Sequence, residues 1–369
     1  MPARKYKRRT YKYTAKYKRR SKRLKRIKKV IRIFSFSIIG LVLSSIAFYL
    51  YTLTINLQKP FASASGGIDF NKTSYNSTKP FNLLLAEVSD TKDLHSDILD
   101  LYVFRIEPMN KKVVLIRIPV NTYTYLNKAI GEGYISKLYS LGNYSNKKLG
   151  YEYTINFLKR TLAINIDGYV FYDTEALNRF KSLNIKVNKE DLPDSIKYSY
   201  FLKISDLFNI SRNNLLSDLN SMEIFKILSD TKSVSKDNYV YKELTASELS
   251  SPKEFDFFWQ NNTEYTSIFS ERLLVTVLNS TDTPGLATWG SRVVKNAGAN
   301  ILEIGNYEDT MDETVIYTDL PESSELLNYL NRFYNIEIVY KPEDFKKDPF
   351  LAKRSDILLI IGKKEALTY

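Results

Sequence analysis

Apolar and polar positions follow three different rhythms along this 369-residue chain. The first is a single unbroken apolar run. Residues 33–55, IFSFSIIGLVLSSIAFYLYTLTI, carry no charge over 23 positions, and the uncharged stretch continues to Gln58. About 20 such residues, each rising 1.5 Å, cross a hydrocarbon core of roughly 30 Å, so one transmembrane helix is predicted over 33–57. The second rhythm is short. FNLLLAEV (81–88), DILDLYVFRIE (97–107), KKVVLIRIP (111–119) and GYVFYD (168–173) read as buried strands, with Leu149, Tyr153, Phe157 and Leu158 on one helical face across 147–161. Strands interleaved with helices predict an α/β layered domain.

The third rhythm begins at 273, after a polar, Ser-rich stretch (189–270) in which only a helix at 213–228 stands out. LLVTVL (273–278), ANILEIG (299–305), ETVIYT (313–318), IEIVY (336–340) and SDILLIIG (355–362) read as strands, and 284–298 and 322–334 as helices. The result is a small β-α-β-β-α-β-β module, with Thr283 as the expected cap and Pro284 at the first helical position of its first helix. The predicted organisation is a basic tail (1–32), a transmembrane helix (33–57), a Ser/Asn/Thr/Gly-rich flexible linker (58–80), an α/β domain (81–230), a linker region (231–271) and the C-terminal module (272–363).

Charge changes the picture of the ends and not of the middle. The formal net charge is +13, yet residues 1–32 hold 17 Lys or Arg and no acid, leaving 37 basic against 41 acidic residues in the rest. Placed before an apolar run, such a tail predicts a cytoplasmic N-terminus and an extracytoplasmic bulk. Ala62-Ser-Ala64 resembles a signal-peptidase site, but signal h-regions span roughly 7–15 residues, so the run is read as a retained anchor. Tyrosines interleaved with the basic residues suit stacking on single-stranded nucleic acid. Adsorption to anionic lipid, at roughly 1 kcal/mol per basic residue, is the favoured reading.

The chain has no cysteine, which excludes disulfides, thiolate metal sites and a Cys nucleophile, and its single His95 excludes a multi-histidine zinc site. Asp90, Asp93, Asp97 and Asp100 with His95 form the densest polar cluster; such oxygens suit a hard cation, but their spacing fits no loop signature and a solvated loop is the plainer reading. Arg105 and Arg117 alternate with apolar neighbours in their strands and are candidate phosphate contacts. Gly131-Glu132-Gly133 reads as a turn. Segments such as LLLA and LYVF serve any buried sheet and would also line a slot for a polyprenyl chain.

The order of these segments resembles the LytR-CpsA-Psr family of bacterial envelope proteins. Segments LLLAEVSD (83–90), HSDI (95–98), RIPVNT (117–122), YISKLYSLGN (134–143) and INIDGYVFYDTEAL (164–177) stand where that family has its motifs, and the likeness covers about residues 81–187. The module at 272–363 resembles the LytR C-terminal domain through VLNSTDTPGLA (277–287), AGANILEIGN (297–306) and SDILLIIG (355–362). The resemblance implies a single-pass membrane protein that transfers a glycopolymer from a polyprenyl pyrophosphate carrier to peptidoglycan, with Mg²⁺ helping to hold the pyrophosphate. Arginine forks and carboxylates are what such chemistry needs.

Most of that set is exchanged here. The positions implied to be charged are Val88, Asp90, His95, Val120 and Asn121, and only Asp97 is kept, with Ser96 and Tyr139 as matched neighbours. The resemblance therefore implies Asp97 as a catalytic residue and Tyr139 as a substrate contact, while Arg105 and Arg117, at positions outside the matched set, are the residues read as able to supply the missing phosphate contacts; no metal site is assigned from the residues themselves. A pseudoenzyme that binds lipid-linked or wall glycopolymer, or scaffolds its attachment, is the leading expectation. An active transferase using Mg²⁺ is the alternative, and DNA binding through the tail is the weakest.

Overall fold

The structure is a computed structural model and describes residues 44, 51–52, 74–128, 130–144, 149–176, 178, 214–336 and 355–368. The chain divides into two units, Met1–Lys59 and Pro60–Tyr369, and the second holds all three sheets. Of the run expected to cross a membrane, Ser44, Tyr51 and Thr52 are described and helical; the basic tail, the rest of the run and residues 337–340 of an expected strand lie outside the described residues. Among the described residues no helix is long and apolar enough to cross a membrane.

The first sheet is built from β1 (Phe81–Val88), β2 (Ile98–Glu107), β3 (Lys112–Ile118), β6 (Gly168–Asp173), β7 (Leu215–Ser217) and β8 (Tyr239–Glu243), in the order β7-β6-β1-β2-β3-β8. β1 runs parallel to β6 and β3 to β8, and the other pairings are antiparallel. β1 and β2 are almost wholly buried because both faces are covered, which is why they read as continuous apolar runs rather than alternating ones. One face packs against α1 (Leu138–Gly142), α2 (Gly150–Leu162), α4 (Ala246–Ser250) and α5 (Lys253–Asn262), and includes Val103, Leu158 and Trp259. The other packs against α3 (Ser221–Lys232) through Phe104, Ile106 and Ile227. β4 (Tyr123–Asn127) and β5 (Gly131–Tyr134) form a separate hairpin, with Gly131 at φ 79 beside its turn.

Three expectations about the first domain and its flanks need correcting. Residues 231–271 are not a linker. They supply β8, α4, α5 and α6 (Thr266–Glu271), with Phe255 and Trp259 fully buried, and their polar composition comes from solvent-facing positions and from a capping box between Thr245 and Glu248. The helix expected over 213–228 begins only at Ser221, where Asn220 and Glu223 cap each other reciprocally, and Leu215–Ser217 is strand. The end of the expected flexible linker is pinned: Tyr75 is 4% exposed and its hydroxyl donates to Asp230 Oδ2 at 2.7 Å.

The C-terminal sheet contains β9 (Leu274–Asn279), β10 (Asn300–Asn306), β11 (Val315–Thr318) and β12 (Ile357–Ile361), in the order β10-β9-β12-β11, with only β11 antiparallel. Helices α7 (Leu286–Asn296), α8 (Glu325–Tyr334) and α9 (Lys363–Thr368) complete the module. Pro284 is not the first residue of α7. Gly285 takes a left-handed φ of 83 at the N-cap, and Asn279 accepts from Thr281 N at 3.0 Å and donates to the Thr283 carbonyl at 2.9 Å, closing the loop before the helix starts.

The module docks on the first domain by capping α2. The last turn of a helix leaves carbonyls without partners. Here Trp289 Nε1 donates to Arg160 O (2.8 Å), Arg292 Nη2 to Thr161 O (3.1 Å) and Asn296 Nδ2 to Leu162 O (3.1 Å). Residues 289, 292 and 296 lie on one face of α7, so a helical period in one domain meets three consecutive carbonyls of the other. Arg292 is also forked onto Asp256 of α5 at 2.6 and 3.0 Å.

Candidate functional site

The loop between β1 and β2, residues 89–97, is held as a narrow turn. Ser89 N donates to Asp97 O (3.0 Å), Asp97 N to Ser89 Oγ (3.3 Å), and Ser96 Oγ is bonded to the Asp90 backbone. Asp90 and Asp93 spend their carboxylates on the amides of Lys92 (2.8 Å) and His95 (2.9 Å), and His95 is exposed. The acidic cluster of the sequence is therefore a set of local turn bonds. Asp100 leaves it altogether, accepting from Tyr102 and Arg117 at 2.9 and 3.2 Å.

Two of the four expected site residues meet at this loop. Asp97 Oδ2 receives Lys137 Nζ at 2.6 Å, while its Oδ1 is buried without a hydrogen bond. Tyr139, two residues beyond Lys137, donates its hydroxyl to Thr91 O (3.3 Å), and burial raises its pKa. Thr91 in turn donates to Asp173 at the end of β6 (3.3 Å), whose Oδ2 also accepts from Asn214 (2.8 Å). Lys137 and Asp173 are the residues that the sequence reading missed. Lys137 stands in YISKLYSLGN, a segment already matched for Tyr139, so its position was visible while its partner was not.

The other two go elsewhere. Arg105 lies eight residues along an extended strand from Asp97, roughly 25 Å. Its side chain is fully buried, with Nε on Glu107 Oε1 (2.6 Å), Nη1 on Asn82 (3.1 Å) and Nη2 on Glu264 O (3.0 Å), and its guanidinium carbon 4.0 Å from the Tyr265 ring centroid. Burial alone would lower its pKa, but Tyr265 and Glu107 outweigh it and the net shift is upward, so it is a fixed cation inside the protein. Arg117, 40% exposed, bonds Asp100 and Glu243 (3.3 Å) beside Tyr102, whose pKa burial pushes up to about 12. Among the contacts of the described residues, none joins Arg105 or Arg117 to Asp97 or Tyr139.

The positions at which the resemblance implies charge are used for packing or face water. Val88 is fully buried, Val120 packs against the main core, and Asn121 is exposed. Among the described residues no group of three or more carboxylate or imidazole side chains converges to fit a divalent cation, and Asp97 already shares its carboxylate with an ammonium.

Residues 272–363 match the model of the LytR cell envelope-related transcriptional attenuator family. The chain carries a LytR C-terminal domain. The likeness of residues 272–363 to this module, read from the sequence, therefore stands, and it is the part docked on α2 through Trp289, Arg292 and Asn296. Solved structures similar to the chain include Bacillus subtilis TagV (15% identity, 48% of this chain and 96% of that one, TM-score 0.36). They also include TagT bound to LI-WTA (11%, 53% and 97%, 0.34) and the transcriptional regulator yvhJ of Bacillus subtilis (18%, 46% and 83%, 0.35). At these scores the likeness carries no argument about activity. No curated protein matches the chain.

Proposed function

We propose that this is a cell-envelope protein whose first domain keeps a LytR-CpsA-Psr-like α/β scaffold without its charged catalytic set, and which binds a lipid-linked or wall glycopolymer or scaffolds its attachment. In this reading residues 33–57 anchor it in the membrane, with the basic tail in the cytoplasm against anionic lipid and both folded domains outside. The carrying observation is that Asp97 is neutralised by Lys137 while Arg105 and Arg117 are committed to Glu107, Asp100 and Glu243. Pyrophosphate, with two or more negative charges, needs convergent donors such as bidentate arginines. The LytR C-terminal domain is consistent with an envelope glycan as the ligand.

The test is turnover by the full-length chain in detergent, supplied with a polyprenyl pyrophosphate-linked glycan, peptidoglycan and Mg²⁺. The expected result is binding of the donor without release of polyprenyl phosphate. Mg²⁺-dependent release that Asp97→Ala abolishes would replace this reading with an active transferase.

A further inference from the structure

We infer that the outward face of the β4–β5 hairpin is a sugar-binding strip that takes an oligosaccharide chain bearing negative charge. The inference rests on the glycopolymer-binding reading and gives it a surface. Alternation along the strands puts Tyr123, Tyr125, Glu132 and Tyr134 on one side, Tyr123 opposite Tyr134 and Tyr125 opposite Glu132. The three tyrosines are 57%, 44% and 50% exposed, and Glu132 is exposed as well. The other side is fixed to the protein. Leu126 is 1% exposed in the main core, and a Cβ on Gly133 would stand 2.9 Å from its Cδ1, so the hairpin sits directly on that side chain.

A face turned only to water has no need of three phenols. Tyrosine offers an apolar ring face and a polar tip, which matches the C–H faces and hydroxyls of a pyranose. The rings are held in place: Tyr123 and Tyr134 meet edge to face with centroids 5.2 Å apart, and the Arg160 guanidinium stands 5.3 Å from the Tyr125 ring while donating to the Tyr125 carbonyl at 3.0 Å. Tyr123 and Tyr125 are two residues apart on an extended strand, roughly 7 Å, so a chain of sugars is needed to touch the whole row. The cations along the strip are Lys128 in the turn, Arg160 beside Tyr125 and Lys137 just after β5, against Glu132 and the Asp97 that Lys137 pairs with, which favours an anionic chain.

The strip also leads into the candidate site. Ile135 N donates to Thr122 O (3.1 Å) and Ser136 N to Val120 O (2.8 Å), fastening the base of the hairpin to the turn after β3, and Lys137 follows on Asp97. The outward face of the hairpin carries no aliphatic residue, only the three phenols and Glu132.

Calorimetric titration of the full-length chain in detergent tests this with three probes: a hyaluronan hexasaccharide, neutral chitohexaose and tripolyphosphate. The expected order is hyaluronan hexasaccharide over chitohexaose, with tripolyphosphate unable to compete fully. Tyr123→Ala, Tyr125→Ala and Tyr134→Ala each weaken sugar binding roughly tenfold with an unchanged melting temperature, and the Phe variants, which keep the ring, bind nearly as well. Alanine variants that bind sugar like the wild type would overturn the strip while leaving the glycan reading in place. No sugar binding by the wild type would overturn both. Full competition by tripolyphosphate, or alanine variants that alter only vesicle adsorption or oligomer size, would replace the sugar chain with a bare anion, a membrane or a second copy.

Discussion

Arg105 shows how a residue's surroundings decide its role. Arginine in an apolar strand reads equally well as a phosphate contact or as a structural cation, and only its neighbours separate the two. Those neighbours are Asn82, Glu107, Trp259, Glu264 and Tyr265, most of them contributed by segments that follow it by more than 150 positions. Removing one partner of a buried pair leaves the other charge uncompensated, at a cost of roughly 3–5 kcal/mol. Arg105→Met is therefore expected to destabilise the protein by about that much in urea unfolding, and Arg105→Lys to recover only part of it, because an ammonium cannot fork onto Glu107, Asn82 and the Glu264 carbonyl together. A variant as stable as the wild type would show that the network contributes little and would reopen Arg105 as a ligand contact. Asp97 and Lys137 are the contrast, since that pair is 37% and 51% exposed and its loss should matter little to stability.

At the scale of elements, the decisive contact is a helix terminus met by a helix face. α7 offers Trp289, Arg292 and Asn296 to three consecutive carbonyls of α2, and a cationic side chain at a helix C-terminus is also favoured by the helix dipole. Trp289→Phe keeps most of the ring packing and deletes one bond, so a loss of roughly 1 kcal/mol is expected, read as a lowered urea midpoint with unchanged slope. A neutral result would mean that water replaces the indole at the Arg160 carbonyl. The elements themselves were largely legible: the runs at 81–88, 97–107, 111–119 and 168–173 became strands because a sheet covered on both faces leaves an unbroken apolar signature. Segment 231–271 was illegible because β8 is an edge strand with mostly half-exposed residues and its helices bury only a few large side chains, among them Phe255 and Trp259. The candidate site was half legible. Asp97 and Tyr139 come from segments with local patterns, whereas Lys137 and Asp173 acquire meaning only when the fold brings the turn after β5, the β1–β2 loop and the end of β6 together.

At the scale of the molecule, the two domains share charge as well as hydrogen bonds. Lys159 of α2 donates to the Phe333 carbonyl of α8 at 2.6 Å with its ammonium 4.7 Å from the Phe333 ring centroid. Burial lowers its pKa to about 8 despite Glu365 of α9 and Asp167, and burial raises Glu365 to about 7 against Lys159 and Lys364. Glu365 holds its proton more tightly folded than unfolded, so its contribution is present at low pH and is lost as pH rises from about 4.5 through about 7. Lys159 holds its proton less tightly folded, so its contribution is absent below about 8 and returns as pH rises toward about 10.5. Between pH 7 and 8 both groups are most nearly charged and the interface is at its weakest on their account. Urea midpoints measured from pH 5 to 10 should therefore show the wild type losing ground to a Lys159→Met/Glu365→Gln double variant most strongly between 7 and 8, with the gap narrowing on either side. A gap independent of pH would mean that the two groups titrate alike in the folded and unfolded chain, and that the docking of the LytR C-terminal domain on α2 owes nothing to their burial.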